Sequence, residues 1–347
     1  MGGQNRGGPV VVANGLVVPQ ARAERRDDTA RPRLPRHAVS LRNWRRSDYE
    51  SVWGRAEWML GQSPERVAKS APGMLLGVLF YQNSTRTRLS FEAAAHRIGG
   101  AVIGFSDVTS TRAGDFYRES LEDTVRVVGG YADVLVLRHT DDDAAERAAA
   151  ISQVPVVSAG TGDREHPTQA MLDLWVLRSK LGQLSGVTLG YVGDPACRHA
   201  RSLVYGLAAF GASGIVFLAP DGARIPDDIQ RTLSAAGMSS HRAESATEVM
   251  HKVDAVSIIP FELSDFHESA VRSHTRSAEL DRRFVFDSAL LSRTGTGVPV
   301  VHTGPRGPEL PPDTDDVPNV HYFEGVTKGV YLRAALLAEL QAHRRRS

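Results

Sequence analysis

The sequence predicts an α/β protein with two doubly wound parallel-sheet domains joined by long helices. Three observations carry this expectation. Short apolar runs rich in Val, Ile and Leu alternate with segments of helical period, the pattern of parallel strands covered by helices on both faces. The alternation stops at a polar break, Gly182 to Gly186, and then starts again. At 347 residues the chain holds about two domains of ordinary size.

An amphipathic helical pattern opens at Leu41 and runs through Tyr49, Val52, Ala56 and Met59. Strands are expected at 75–80, 101–105, 134–138 and 154–158, with helices at about 86–98, 120–129 and 144–152 between them. A long helix is expected from His166 to about Leu181, with Pro167 in the favoured first turn. The second set has strands at 188–192, 215–218, 255–259, 284–286 and 298–302. Asp163, Gly193-Asp194 and Pro195 fall at strand ends, where open α/β sheets bind ligands. The last helical pattern, 325–343, is rich in Leu and Ala. Arg344, Arg345 and Arg346 follow it, where cations suit a helix C-terminus.

Composition narrows the function classes. Net charge is +1, so no bulk electrostatic attraction to nucleic acid or membrane is expected. No run approaches the 18 apolar residues of a membrane span. Cys197 is the only cysteine, which rules out an intrachain disulfide and a cysteine-based zinc site and fits a cytoplasmic location. The 12 histidines are scattered without HxxxH or HExxH, so no metal is expected. GxSxG, GxGxxG and GxxxxGK[ST] are absent. Residues 1–36 are expected to form a flexible basic tail, because they combine Gly and Pro with arginine pairs that Glu24, Asp27 and Asp28 dilute.

The most informative stretch is Ser84-Thr85-Arg86-Thr87-Arg88. It follows an apolar run ending at Phe80 and opens a helical pattern. This order sets hydroxyls, guanidinium groups and unpaired backbone N–H groups at a positive helix N-terminus, which suits a phosphate. A Ser/Thr cap followed by surface arginines would use the same residues.

Phe80 to Glu92, with STRTR followed by Ser90-Phe91-Glu92, resembles the carbamoyl-phosphate signature of the aspartate/ornithine carbamoyltransferases. His166-Pro167-Thr168-Gln169 resembles that family's H-P-x-Q segment, and Arg138-His139 is similar to the strand-end pair of its aspartate branch. Val192-Gly193-Asp194 with Arg198 and Ser202-Leu203 is a fourth match, and the order holds from about Ala38 to Leu340. The resemblance implies a transferase acting on carbamoyl phosphate and an amino-acid-like amine, without a cofactor, as a homotrimer with sites between subunits. It implies a carbamoyl-phosphate domain at 37–165 completed by a C-terminal helix at 325–346, and an acceptor domain at 166–324.

The resemblance also distributes roles. The phosphate falls to Ser84, Thr85, Arg86 and Thr87. The carbonyl oxygen falls to Thr87, Arg138 and His166, and the amide to Gln169 and the backbone around Thr303-Gly304. The residue types fit, since guanidinium forks suit oxyanions and an imidazole N–H can stabilise charge developing on a carbonyl oxygen. Arg86, Thr87, Arg138 and His166 are therefore the candidate catalytic residues. Arg88 is expected to pair with Glu92 one turn on.

The acceptor side departs from the family pattern. Aspartate carbamoyltransferases carry R-x-Q after the strand matching 255–259, where this chain reads Pro260-Phe261-Glu262. The SMG and HCLP segments of ornithine carbamoyltransferases are missing, and the corresponding loop reads His302-Thr303-Gly304-Pro305-Arg306. The loop 110–119, which in the family reaches a neighbouring subunit's site with a lysine, has no lysine; Arg118 or Arg112 would take its place. Arg198 matches the arginine that holds the acceptor's α-carboxylate. Arg198, Pro260 and Glu262 together point to an acceptor other than aspartate or ornithine, for example a short diamino acid. Aspartate with rearranged contacts and a non-catalytic binding paralogue are the alternatives.

Overall fold

A computed structural model describes residues 34–114, 118–261, 280–294 and 297–344, with two short strands at 11–13 and 16–18. In chain order the elements are β1 (Val11–Ala13), β2 (Leu16–Val18), α1 (Arg46–Leu60), α2 (Pro64–Val67), β3 (Leu75–Phe80), α3 (Thr85–Arg97), β4 (Ala101–Phe105), α4 (Leu121–Gly129), β5 (Val134–His139), α5 (Ala144–Ile151), β6 (Val156–Thr161) and α6 (Pro167–Leu181). They continue with β7 (Thr188–Val192), α7 (Arg198–Phe210), β8 (Gly214–Leu218), α8 (Asp227–Ala235), β9 (Ser239–Arg242), α9 (Ala246–Lys252), β10 (Ala255–Ile258), α10 (Ser288–Thr294), β11 (Val300–His302) and α11 (Tyr322–Arg344).

The strands form two parallel sheets, ordered β4-β3-β5-β6 and β11-β10-β7-β8-β9. In each sheet the order reverses direction beside the first strand, β3 or β7, so the loops after those strands open at a switch point. β6, β8 and β10 are buried at every residue and β3, β5 and β7 at all but one, because helices cover both faces. One core runs from Leu76 and Val78 of the first sheet, through Trp53 and Trp175, to Tyr191 and Phe217 of the second. α1, α6 and α11 are the long helices that make this continuity. α11 packs against α1, α3 and α6, which returns the end of the chain to the first sheet's layer.

Local departures from expectation have local causes. α1 starts at Arg46 rather than Leu41, because the Asp48 carboxylate accepts the Arg45 backbone N–H at 2.8 Å and closes the first turn there. β6 starts at Val156 rather than 154, since Pro155 has no N–H for the ladder. The expected strand at 284–286 is a 3₁₀ turn, Arg282–Phe284, followed by extended chain. Its Phe286 N–H bonds the Glu309 carbonyl at 2.9 Å instead of a strand. β9 was not foreseen, because its sequence, Ser-Ser-His-Arg, is polar and exposed at a sheet edge. The tail holds an antiparallel ribbon of β1 and β2, whose apolar runs flank Asn14-Gly15, a dipeptide favoured in hairpin connections. The rest of the tail through 33, loop residues 115–117, Glu262 and the arginines 345–346 lie outside the described residues.

Candidate active site

The site begins at the N-terminus of α3. Ser84 is the N-cap in extended conformation and makes no side-chain cap bond, so its hydroxyl does not compete for the first-turn N–H groups. Thr87 is buried, and Arg86 is exposed although the protein around it removes part of its guanidinium's water. Burial pushes the Arg86 guanidinium below its ordinary value, partly offset by Tyr322. Arg88 turns away and pairs with Glu92 at 2.6 Å, as the helical spacing predicts.

Gly304 faces Arg86. A Cβ there would stand 2.8 Å from Arg86 Nε and 3.0 Å from the Tyr322 hydroxyl, and the residue has φ +68°, so only glycine fits without strain. The loop that carries it is pinned from behind. His302 Nδ1 accepts the Gly304 N–H at 2.8 Å, and His302 Nε2 meets Glu309 at 2.8 Å in a fully buried pair. Thr303 N–H donates to the Ile258 carbonyl at 3.0 Å. Arg86, Gln169 and Thr303 line a cavity of about 310 Å³ between α3, α6, β11 and α11.

A second glycine stands against two arginines. Gly160, at φ +103°, would place a Cβ 3.2 Å from both Arg138 Nη1 and Arg198 Cζ. Arg138 is the next-to-last residue of β5, is 9% exposed, and donates from Nη1 to the Ala159 carbonyl at 3.0 Å. Burial, then the like charges of Arg198 and Arg86, press its guanidinium down to about 9, still protonated at neutral pH. Arg198 opens α7 and donates to the Gly162 carbonyl at 3.1 Å. His166 is the N-cap of α6, and its backbone N–H donates to the Ser202 hydroxyl at 3.0 Å. Burial first, then Arg198 and Arg138, hold its imidazole well below the ordinary histidine range, so the ring is neutral. Arg138 Nε and His166 Nδ1 are buried with no hydrogen-bond partner among the described residues.

The tertiary structure thus brings together Arg86, Arg138, His166, Gln169, Arg198, Thr303 and Gly304. Pro260 is buried just past β10, and Glu262 lies outside the described residues. Arg112 and Arg118 are exposed and do not line the cavity; Arg118 adopts φ 47°. Three further polar groups escaped the sequence reading. Asp173 accepts from Gln169 Nε2 at 2.8 Å, His199 lies 3.0 Å from Asp173, and Arg333 is a buried guanidinium on α11 stacked over Phe91. A charged residue inside an otherwise apolar helical run was the available signal for Asp173 and Arg333.

A donor set of this kind, with guanidinium groups, open helix N–H groups and a neutral imidazole, suits a phosphorylated carbonyl compound. The family comparisons agree with it. Residues 36–179 match the carbamoyl-phosphate binding domain of aspartate/ornithine carbamoyltransferases, and residues 185–340 match the Asp/Orn binding domain. The chain is 36% identical over 314 residues to the aspartate carbamoyltransferase catalytic subunit of Methanothermobacter thermautotrophicus, covering 90% of this chain and 97% of that one. It is 38% identical over 270 residues to the chloroplastic aspartate carbamoyltransferase of Oryza sativa, covering 76% and 72%. Among solved structures, aspartate transcarbamoylase of Trypanosoma cruzi in complex with carbamoyl phosphate superposes with a TM-score of 0.78 at 31% identity, covering 87% and 95%. The chain belongs to the aspartate/ornithine carbamoyltransferase family.

Proposed function

We propose that this carbamoyltransferase moves the carbamoyl group of carbamoyl phosphate to the amine of an amino acid, with aspartate as the acceptor. The observation that carries the donor half is the grouping of Arg86, Arg138 and neutral His166 within electrostatic reach of one another, with Gly304 against Arg86 and Gly160 against Arg138. The relatives named as aspartate carbamoyltransferases support the acceptor half. In this reading the phosphate lies at Ser84, Thr85, Arg86 and Thr87. Thr87, Arg138 and His166 donate to the carbonyl oxygen as charge gathers on it. Gln169 and the carbonyls of Thr303-Gly304 receive the amide, and Arg198 holds the acceptor's α-carboxylate. The amine lone pair forms the N–C bond, the C–O bond to phosphate breaks, and the departing phosphate takes the amine proton. Positioning and oxyanion stabilisation supply the rate.

The first sheet's unit, 37–165 with the returning C-terminal helix, serves the donor, and 166–324 serves the acceptor. The chain works in the cytoplasm as a homotrimer, with the loop 110–119 completing a neighbour's site through Arg118 or Arg112. Mixing an Arg86→Ala chain with an Arg118→Ala chain should then restore part of the activity, and full activity from a verified monomer rules this arrangement out.

A second reading, an acceptor other than aspartate such as a short diamino acid, is favoured by Pro260-Phe261-Glu262, which offers no cation for a side-chain carboxylate. Side-by-side kcat/KM values for aspartate, ornithine, 2,3-diaminopropionate and 2,4-diaminobutyrate decide between the two. Aspartate leading supports the first reading, and a diamino acid leading replaces it.

A further inference from the structure

Gln169 and Asp173 stand one turn apart on α6, and their side chains are joined: Gln169 Nε2 donates to Asp173 Oδ1 at 2.8 Å. Asp173 is 3% exposed. Its other oxygen accepts from the Ser257 hydroxyl at 3.4 Å and lies 3.0 Å from His199 Nε2. Arg333 on α11 adds an attracting positive charge. The carboxylate is therefore surrounded by groups that suit an anion.

An ionised carboxylate only accepts hydrogen bonds. It takes the Nε2 end of the Gln169 amide and rejects the Oε1 end. Glutamine itself has no preference, since half a turn about its last torsion exchanges the two. With Nε2 held by Asp173, Oε1 is the end left for the cavity that Gln169 lines beside Arg86 and Thr303.

We infer that Asp173 is a positioning residue for donor selection: it holds the Gln169 carbonyl oxygen toward the donor, so that the site accepts an acyl phosphate bearing NH₂ and disfavours one bearing CH₃. A carbamoyl NH₂ supplies the N–H that Oε1 needs. An acetyl methyl leaves that oxygen unpaired, and sites built to hydrogen-bond a substrate group discriminate strongly against analogues lacking it. The inference rests on the carbamoyl-phosphate reading and adds the residue that sets the polarity of the amide contact.

The test uses two hydrolytically stable ligands, phosphonoacetamide and acetonylphosphonate, which differ only in NH₂ against CH₃. Calorimetry on the wild-type protein should show a preference for the amide of about 10- to 100-fold, the range of one unpaired buried polar group. Asp173→Asn offers Gln169 either a donor or an acceptor, so the preference should fall to within about threefold while inorganic phosphate binds as before. The exchange Gln169→Glu with Asp173→Asn reverses the hydrogen bond and returns an acceptor oxygen to the cavity at unchanged net charge. It should restore the preference, which a purely structural role for Asp173 would not do. In ¹⁵N-glutamine-labelled wild type, the Gln169 side-chain amide protons should exchange slowly with solvent, a readout that needs no variant to fold. Equal binding of the two ligands by wild type, a full preference kept by Asp173→Asn, an exchange variant without preference, or fast amide exchange would each overturn the inference and leave the donor reading standing. Failure of wild type to bind either ligand would instead remove the donor reading itself.

Discussion

The sides proposed here for the donor and the acceptor are built differently. The donor side hangs on the ends of buried elements: α3 after β3, Arg138 next to last in β5, His166 at the start of α6, and Gly304 on a loop held by the His302–Glu309 pair. Each position is set by a strand or helix whose register the core fixes. In the proposed reading the acceptor side rests on Arg198 at the start of α7 and on the residues after β10, Ile259 to Phe261. On the resemblance read from the sequence, the donor motifs keep the family pattern and Pro260-Phe261-Glu262 departs from it. In the proposed reading, rigid elements carry the donor contacts, and the acceptor is chosen where the sequence departs from the family pattern, from Pro260 onward.

Arg86→Ala attacks the donor side most directly. It should lower turnover on the order of 10²-fold or more, as expected for a lost charge-stabilising donor, and weaken phosphonate analogues of carbamoyl phosphate with it. Calorimetry showing wild-type affinity in the variant would break the comparison at its first member.

Arg198→Ala should separate the two sides. The acceptor KM should rise by roughly 10- to 100-fold, the magnitude of a charged hydrogen bond, while the donor analogue binds as in wild type. Equal losses on both ligands would show that Arg198 serves the donor through Arg138, its neighbour across Gly160.

Gly304→Ala adds one methyl where Arg86 Nε would be 2.8 Å away and φ is +68°. The loop or the guanidinium must move, and kcat/KM should fall on the order of 10-fold with little change in Tm. An unchanged kcat/KM would mean that the approach of this loop to Arg86 is not needed for the reaction.

Glu165→Gln is the smallest expected effect and probes the seam between the sides. Glu165 accepts from Ser40 Oγ at 2.5 Å, Leu41 N–H at 3.0 Å and Ser202 Oγ at 3.0 Å, and Ser202 receives the His166 N–H. Burial raises its carboxyl above the ordinary 4.5, against the lowering effect of those donors. A carboxyl raised on folding contributes most when protonated, so its contribution is present below about 4.5 and is lost as pH climbs through the raised folded value. The variant should match wild type near pH 4 and exceed its Tm by a few degrees at pH 8. A Tm difference independent of pH would exclude this titration.

Much of this was legible before any coordinates. Period and composition mark the strands that lie deep in the sheets, because burial on both faces demands continuous apolar runs. The Arg88–Glu92 pair follows from spacing on one helix. β9 and the turn at 282–284 were not legible: one is a polar edge strand and the other is an Arg-Arg-Phe turn in which only Phe284 is buried. Motif resemblance pointed to Arg86, Arg138, His166, Gln169, Arg198, Thr303 and Gly304.

By itself, then, the sequence determined the two-sheet α/β class and marked the residues proposed for the donor side. Both are encoded in local period and short motifs that need no distant partner. The tertiary structure decided what those residues face. Gly160 lies between Arg138 and Arg198, Gly304 lies against Arg86, and Asp173 gathers Gln169, His199 and Ser257 with Arg333 nearby. Apart from Gln169 and Asp173, these neighbours come from separate elements, 84 residues apart for Asp173 and Ser257 and farther still for Gly304 and Arg86. No local propensity specifies such meetings; they follow from packing the helices and the two sheets around one continuous core.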